Sequence, residues 1–441
     1  MTIYRKSGES GTVTAVESRA VRVGRPRSQP VTSTRALRRA STTAVLEAVW
    51  AGEPVTGSDL IATTGLTRAT VHDVCADLIA AGWVEELADQ RAHGSYERGR
   101  PARRYGLRAR AAVVVGVDAG TARVTALVTD LRGQVLGRAE APVRRTAEHR
   151  RSVAARVVEA ALAVAEAAPG EVLACTAALP APVAASGRME VTSNRFWLAM
   201  DAGLAGHLHG LLGCPVAIAN DADLAALAEG RRGAAAGSSD HISLLVDGGF
   251  GAGVVSGGAL VRGRYGRGGE MRWLDLVSDV GAPVGLAPLL AHWASHGVDA
   301  PPPGDPAADA EPGSGDPEAD LAAARAVLRS AATGGAAATA ITARAGRHLA
   351  RIVATAGGLL DPELVVLTGQ LAPDLGPVVS VVEQQLPLML DAPVPRVATS
   401  LLGPDAVALG AAQQALDHVH EHALELALPG AAPRTSEPAG P

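Results

Sequence analysis

The sequence has few cysteines, and their spacing excludes two common uses of this residue. Cys75, Cys175 and Cys214 are the three in 441 residues, and no C-x-x-C pair occurs. A disulfide framework or a thiolate zinc site requires paired or regularly spaced cysteines. The pattern therefore favours a protein of a reducing compartment without a cysteine-bound zinc.

Long apolar runs and aromatic residues are also scarce. No uninterrupted apolar stretch reaches the roughly 18 residues that a membrane helix needs, and the N-terminus lacks the apolar core of a signal peptide. These absences predict a soluble, cytoplasmic protein with no membrane partner. Aromatic residues make up 2% of the chain, so Ala, Val and Leu must build its cores.

Charge is unevenly distributed along the chain. Residues 1–110 carry a net charge of +6 and the remainder −11, which together give the formal −5. A basic end on an acidic body favours a nucleic-acid-facing N-terminal part. Most of the excess lies in the first 40 residues, so an unstructured basic arm explains it equally well.

Residues 55–86 have the pattern of two short amphipathic helices joined by a turn. Ser58 is suited to cap the first helix, and Gly65 suits the turn because glycine tolerates positive φ. Thr67 is suited to cap the second helix, whose apolar residues recur at the helical period. This stripe, which we expect to be buried, consists of Val71, Val74, Cys75, Leu78 and Ile79.

A strand from Trp83 and an arginine-rich loop at 90–104 complete the pattern of a winged helix-turn-helix. The second helix would meet base edges in the major groove, and the loop arginines suit phosphates or a narrow minor groove. The alternative is a small helical subdomain with a solvated charged loop. The residues predicted to contact DNA are Arg68, Thr70, His72, Arg98 and Arg100.

Composition divides the chain further. Residues 1–33 are predicted to be a disordered basic arm and 34–110 the winged helix domain. Residues 111–428 are predicted to form an α/β body for effector binding and dimerisation, which begins β-β-β-α-β. Residues 299–320 are rich in Pro, Gly and Asp and are predicted to be a flexible insertion, and 429–441 a disordered tail.

Three glycine-rich turns follow predicted strands of the body. Backbone amides in such turns can hold a phosphate or a sugar hydroxyl, although strand-Asp-Gly turns are also common for structural reasons. The candidate nucleotide-binding residues in these turns are Asp118, Gly120, Gly249, Gly251 and Gly369.

Asp221 stands where a predicted strand turns into the helix that begins DADLAALAEG. A carboxylate at such a junction can reach a cleft and accept the proton of a sugar hydroxyl. The structural alternative is that Asp221 or Asp223 caps the helix.

His418, His420 and His422 form the one dense histidine cluster. They are predicted to be surface residues of a C-terminal helix, with metal binding by His418 and His422 as the less favoured alternative.

Seven motifs follow the winged helix-turn-helix pattern in order along the chain: VGVDAG, PAP, NRFW, ANDADLAALAE, DGGFGAG, GGE and LGPDAVALGAA. Together they resemble the ROK family (repressors, open reading frames and sugar kinases) from about residue 40 to 415. The resemblance implies an α/β protein: an N-terminal winged helix-turn-helix followed by a two-lobed actin-like (ribonuclease H-like) ATPase/sugar kinase fold. It also implies that Asp221 matches the catalytic base of the family's kinases, and that Asn194, Asn220 and Glu270 match positions that contact the hexose.

Departures from the family pattern fall on the phosphate loops and the zinc site. The first loop reads DAGTAR where the family has DIGGTK, and Gly248 replaces a Thr in the second loop. Trp273 replaces a zinc-ligating, sugar-contacting His, and the cysteine-rich zinc loop is missing. Phosphoryl transfer depends on holding the phosphates, so these changes predict a non-enzyme without zinc, with Mg-ATP as cofactor only if kinase activity is retained.

These features together predict a sequence-specific transcription regulator. We expect a homodimer or higher homo-oligomer that represses carbohydrate genes on double-stranded operator DNA and senses a sugar or sugar phosphate. Two alternatives stay open: an ATP-dependent sugar kinase with an appended DNA-binding domain, and a constitutive DNA-binding protein with a non-functional sensor.

Overall fold

The computed structural model describes most of the chain, in five segments. The predicted arm at 1–33, the tail from residue 430 and most of the predicted wing, including Arg98 and Arg100, lie outside them. The described residues are 34–87, 103–144, 146–189, 194–303 and 316–429.

The N-terminal unit consists of three helices and a small antiparallel sheet of strand order β1-β3-β2. Helices α2 and α3 are the two predicted by the sequence, and a three-residue turn separates them. The elements are α1 (Thr34–Trp50), β1 (Val55–Thr56), α2 (Gly57–Thr64), α3 (Arg68–Ala80), β2 (Val84–Leu87) and β3 (Arg104–Leu107).

Helix caps fix the turn between α2 and α3. Gly65 has a φ of 69° and ends α2, and the Thr67 side chain accepts from the amide of Thr70 at the start of α3, as predicted. The prediction that Ser58 caps α2 is wrong. Thr56 is the cap, in a reciprocal capping box with Asp59 that satisfies two amides at once.

Burial of the α3 stripe follows the helical period with one exception. Val71, Val74, Cys75 and Leu78 are buried against the rest of the unit. Ile79 was also predicted to be buried but is exposed, because it lies at the edge of the apolar face that the other four residues form.

The first lobe of the body is a five-stranded sheet of order β6-β5-β4-β7-β8. Strands β4, β7 and β8 run parallel, so their carboxyl ends meet at one edge, while β5 and β6 are antiparallel additions. Its elements are β4 (Val113–Ala119), β5 (Arg123–Asp130), β6 (Val135–Pro142), α4 (Ala147–Ala165), β7 (Val172–Leu179), α5 (Arg195–Asp201), α6 (Leu204–Leu212), β8 (Val216–Asn220) and α7 (Asp221–Arg232).

The second lobe repeats this topology with the strand order β11-β10-β9-β12-β13. Strands β9, β12 and β13 run parallel, and β10 and β11 are antiparallel. Its elements are β9 (His241–Leu245), β10 (Gly251–Ser256), β11 (Ala259–Leu260), α8 (Leu286–His296), α9 (Pro317–Ala332), α10 (Ala336–Leu360), β12 (Leu364–Thr368), α11 (Gly376–Gln385), β13 (Arg396–Thr399) and α12 (Ala406–His422).

The predicted flexible insertion at 299–320 ends earlier than expected. Helix α9 begins at Pro317, and the Asp316 carboxylate accepts from the amides of Glu318 and Ala319. Asp at the N-cap followed by Pro is a strong helix start, which the Pro- and Asp-rich composition concealed. Residues 304–315 lie outside the described segments.

The C-terminal helix α12 joins the three parts of the chain. It packs directly on β4, where a Cβ at Gly116 would overlap the carbonyl of Ala408. It packs equally closely on α7, where a Cβ at Gly410 would overlap the carbonyl of Leu224. Its far end shares one hydrophobic core with the N-terminal unit.

That shared core includes a column of rings. Trp50 at the end of α1 lies 5.7 Å from the ring of Trp83 and 4.7 Å from the ring of His420 on α12. Arg39 and Glu425 add an exposed ion pair at the same contact, with 2.5 Å between the charged atoms.

None of the helices in the described segments combines the length and the apolar content that a membrane span requires.

Candidate functional site

The site lies where the carboxyl ends of β4 and β8 meet, and it gathers half-buried carboxylates. Burial raises the pKa of Asp118 to about 7; the Arg150 guanidinium opposes this rise, and Asp247 and Asp405 add to it. Burial also raises the pKa of Asp221 well above its usual range, with Asp118 as the first of the charges that add to it. The two predicted residues therefore share one low-dielectric, acidic environment.

Asp221 is the first residue of α7 but not its cap. Asn220 is the cap, since its Oδ1 accepts from the Asp223 amide at 3.0 Å. Its Nδ2 donates to the carbonyl of Ala181 at 3.1 Å, so both ends of this amide contact the protein. The alternative in which an aspartate caps the helix is wrong, and Asp221 accepts only from the adjacent Ala222 amide within the described chain.

Glu270 follows a tight glycine turn and is half-buried beside the same group. Gly269 has a φ of 86°, and a Cβ there would overlap the carbonyl of Ala252 on β10. Burial raises the pKa of Glu270 to about 7, with Arg267 opposing and Asp223 adding to the shift. Glu270 also adds to the rise in the pKa of Asp221.

Asp223 belongs to the site although the sequence suggested only a possible cap. Its carboxylate is 3% exposed, and Oδ2 lies 3.3 Å from Nε of Arg262. Oδ1 has no hydrogen-bond partner among the described residues. Burial raises the pKa of Asp223 to about 6, and Arg262 opposes the shift. A buried acceptor without a partner is suited to receive a ligand hydroxyl.

Arg150 is a second residue that sequence reasoning missed. It is fully buried in α4, and its guanidinium donates to the carbonyls of Ala119 and Gly120 at 2.5 and 2.8 Å. It also donates to the carbonyl of Met200 at 3.3 Å. Arg150 therefore fixes the first glycine turn from behind and places a positive charge near Asp118.

The second and third glycine turns are tied together by Asp247. Its carboxylate accepts from the amides of Gln370 at 2.7 Å and Leu371 at 3.1 Å. A Cβ at Gly369 would lie 2.6 Å from Asp247 Oδ2, so the close approach requires glycine. The amides that a phosphate could use in the third turn are thus occupied by a carboxylate of the same charge sign.

The second turn also contacts the first turn and α7. A Cβ at Gly251 would touch the Ala222 side chain at 3.6 Å, and one at Gly248 would lie 3.9 Å from Thr121. Gly249 is bridged to Val284 across the turn. The predicted turn residues therefore lie around one group of carboxylates, which we call the aspartate cleft and which consists of Asp118, Asp221, Asp223 and Glu270.

Asn194 is placed at the start of α5. Its Oδ1 accepts from the amides of Phe196 and Trp197 at 3.0 and 3.2 Å, so the carbonyl end of the side chain caps a helix. Its predicted contact with a hexose stays a prediction.

Residues 114–280 match the sequence model of the ROK family. The chain carries a ROK family domain. The matched residues of this ROK domain include the whole aspartate cleft from Asp118 to Glu270.

Two curated relatives share 34% identity with the chain over 160 residues. Both are described as bifunctional enzyme NanE/NanK, one from Brucella suis biovar 1 and one from Brucella melitensis biotype 1. The matched part covers 36% of this chain and 27% of each relative, so the chain spans about a quarter of their length.

Solved structures share the fold over a longer range. A ROK family transcriptional regulator, described as a homolog of the E. coli MLC protein, has a TM-score of 0.63 at 20% identity, covering 86% of this chain and 96% of its own. A Streptomyces griseus ROK glucokinase in complex with glucose and AMPPNP has a TM-score of 0.55 at 23% identity, covering 69% and 99%. A Thermus thermophilus ROK hexokinase has 0.52 at 27%, covering 70% and 99%. These neighbours confirm the predicted two-lobed kinase-like α/β fold.

The predicted DNA-contacting residues on α3 differ in their exposure. Arg68 and His72 are exposed, and Thr70 is half-buried with its hydroxyl 2.9 Å from that of Thr67. Of the predicted wing, Arg103 pairs with Glu86 at 3.1 Å. Arg104 donates to the carbonyl of Pro54, so it is less free to meet phosphates than predicted.

The histidine cluster contributes to the contact between α12 and α1. His418 and His422 lie 4.4 Å apart, ring to ring, and His420 packs on Trp50. No group of three potential metal ligands occurs in the described segments. The packing role of His420 depends on a contact 370 positions away and has no signal in the local sequence.

Proposed function

We propose that this protein is a sugar-responsive transcription regulator that represses carbohydrate genes in the cytoplasm. The N-terminal unit is a winged helix-turn-helix that reads DNA, and the ROK domain binds a sugar or sugar derivative in the aspartate cleft. The observation that carries this proposal is the single hydrophobic core shared by the N-terminal unit and α12 of the body.

Helix α3 supplies the recognition surface. Its N-terminal end presents Arg68 and His72 to solvent, and its buried stripe holds it on α1 and α2. A single small unit of this kind makes few base contacts, so two units of a homodimer would read two half-sites. The bound DNA sequence should accordingly show approximate two-fold symmetry.

The cleft supplies the sensor. Glu270, Asp221 and the unpartnered Oδ1 of Asp223 offer acceptors for sugar hydroxyls in a partly dehydrated setting. The similarity to a glucokinase solved with glucose supports a hexose or hexose derivative as the ligand class.

Helix α12 couples the two parts. It contacts β4 and α7, which carry Asp118 and Asp221, and it packs on α1 of the DNA-binding unit. A sugar that favours one arrangement of the lobes would therefore bias the position of α3. The size of this effect is limited by the difference in sugar affinity between the two arrangements.

A selection experiment tests the DNA-binding proposal. Duplexes bound by the full chain are enriched from a random-sequence library, and we expect a two-fold symmetric motif. Replacing Arg68 with Ala should weaken binding to that motif by about tenfold to a hundredfold, because one base or phosphate contact is lost. The exposed hairpin residue Arg132 provides the matched control, and Arg132→Ala should leave the affinity unchanged. Enrichment of no motif at all would refute the proposal.

A second candidate function, sugar phosphorylation, is favoured by Asp221 alone. Its position at the carboxyl end of β8, where it accepts from the Ala222 amide alone among the described residues, is one from which a carboxylate can act as a general base. The carboxylate of Asp247 on the third-turn amides opposes ATP phosphates, and catalysis of phosphoryl transfer depends on holding them.

We therefore expect no ADP release above background when the chain is incubated with Mg-ATP and a panel of hexoses. A coupled ADP assay measures this directly. Turnover with any hexose, lost in an Asp221→Asn variant, would establish the kinase instead.

A further inference from the structure

A cavity of about 370 Å³ lies in the second lobe, outside the aspartate cleft. Its walls come from α8, the segment that follows α8, α10 and the loop before Val280. None of the cleft carboxylates lines it. The charged and titratable residues that line it are Asp279, Asp299, Arg344, Arg347, His348 and Arg351.

The arginines occupy one face of α10, at positions i, i+3 and i+7. Arg344 is fixed, because it lies 4.4 Å over the ring of Trp293 and donates to the carbonyls of Val298 and Ala300. Arg351 pairs with Asp279 at 3.3 Å. Arg347 is exposed and forms no ion pair with any residue that the structure describes.

The lining is therefore positively charged overall. Three guanidinium groups face the carboxylates of Asp279 and Asp299, which leaves one net positive charge if His348 is neutral. Asp279 is already engaged by Arg351, so Asp299 is the one carboxylate that is free to oppose an incoming anion.

His348 adds a buried imidazole to this wall. It is 5% exposed, and its Nε2 has no hydrogen-bond partner in the described part of the chain. Burial, together with Arg344 and Arg351, lowers the pKa of His348 to about 4, and a hydrogen bond with the backbone of Asp279 opposes them. A buried ring nitrogen without a hydrogen-bond partner is costly, and an adjacent anion would favour the protonated form of His348 and relieve that cost.

We propose that this cavity binds a small phosphorylated metabolite, with Arg347 and Arg351 holding the phosphate group. Guanidinium groups present planar pairs of donors that match phosphate oxygens. The volume falls in the range of small-molecule sites. The proposal concerns a second site and holds whether or not the chain binds DNA.

The cavity also contacts the cleft through one ring. His348 stacks on Phe250 with ring centroids 6.2 Å apart, and Phe250 belongs to the second glycine turn. The amide of Phe250 donates to the carbonyl of Pro283, which anchors that turn beside Asp247. The cavity wall is therefore in contact, through His348 and Phe250, with the turn next to the aspartate cleft.

Calorimetric titration of the full chain tests the proposal, with inorganic phosphate, glucose 6-phosphate and glucose as separate probes at constant ionic strength. We expect saturable binding of inorganic phosphate and of glucose 6-phosphate. Arg347→Gln should weaken it about tenfold, and Asp299→Asn should strengthen it a few-fold by removing the opposing charge. Arg329→Gln, an exposed arginine on α9 outside the cavity, is the matched control and should have no effect.

The Asp299→Asn variant distinguishes a direct effect on phosphate binding from a general loss of stability, because a damaged fold does not bind phosphate more tightly. If neither inorganic phosphate nor glucose 6-phosphate binds saturably at about 10 mM, the proposal is overturned, and so it is if Arg347→Gln binds them with unchanged affinity. Loss of phosphate binding in Glu270→Gln would overturn it as well, since the anion would then lie in the cleft. Saturation by glucose 6-phosphate but not by inorganic phosphate would show that the sugar contributes to recognition in this cavity, provided that Arg347→Gln weakens it.

Discussion

Replacing Glu270 with Gln should make the protein more stable at pH 8 and unresponsive to sugar. The pKa of Glu270 is about 7 in the folded chain against an ordinary value of 4.5. The folded state therefore holds this proton more tightly than the unfolded state. The stabilisation that the protonated Glu270 side chain contributes is fully present below about pH 4.5 and is lost as the pH rises through about 7.

Glutamine does not ionise, so the variant escapes this loss. We expect the free energy of unfolding at pH 8 to rise by roughly 2 to 3 kcal/mol, with a smaller difference at pH 5. Denaturant unfolding at the two pH values measures it. Glu383→Gln, an exposed site on α11, is the control and should show neither effect.

The same variant should bind sugar about tenfold to a hundredfold more weakly, because a charged acceptor of the cleft is lost. Its affinity for DNA without sugar should stay that of the wild type. Loss of DNA binding would contradict the assignment of Glu270 to the sensor, and a destabilised variant at pH 8 would contradict its raised pKa.

Replacing Trp50 with Ala should uncouple the N-terminal unit from the body. The indole packs between Trp83 and His420, so its removal leaves a void in the core that joins α1 to α12. For a half-buried tryptophan we expect a loss of roughly 2 to 4 kcal/mol. Denaturant unfolding should change from one transition to two, since the body keeps its own cores.

Functionally, Trp50→Ala should retain sugar binding while DNA affinity no longer changes with sugar. Leu37→Ala on the same helix is the control, because Leu37 is 57% exposed. A variant that still couples sugar to DNA release would show that the signal travels by another route.

The sequence predicted features that depend on local chemistry. The turn at Gly65 and the cap at Thr67 follow from neighbouring residues, and the β-β-β-α-β succession that begins the body follows from buried runs separated by turns. The cap of α2 was also readable, because Thr56 and Asp59 stand at capping-box spacing, but Ser58 is an equally good cap in isolation.

The missed features depend on contacts between distant residues. Asp247 accepts from amides more than 120 positions away, and only the fold brings the second and third glycine turns together. Arg150 reads as one more polar residue of an amphipathic helix until its burial is known. The contact of Trp50 with His420 joins the two ends of the chain and has no local pattern.

The central claim is that sugar binding in the cleft changes DNA affinity through α12. The most direct measurement is the fluorescence anisotropy of a labelled duplex carrying the selected motif, titrated with the full chain with and without the hexose that most raises its melting temperature. We predict a change in Kd of at least about fivefold, the lower range of allosteric coupling. An unchanged Kd at saturating hexose would contradict the account and leave a DNA-binding protein whose ROK domain does not signal.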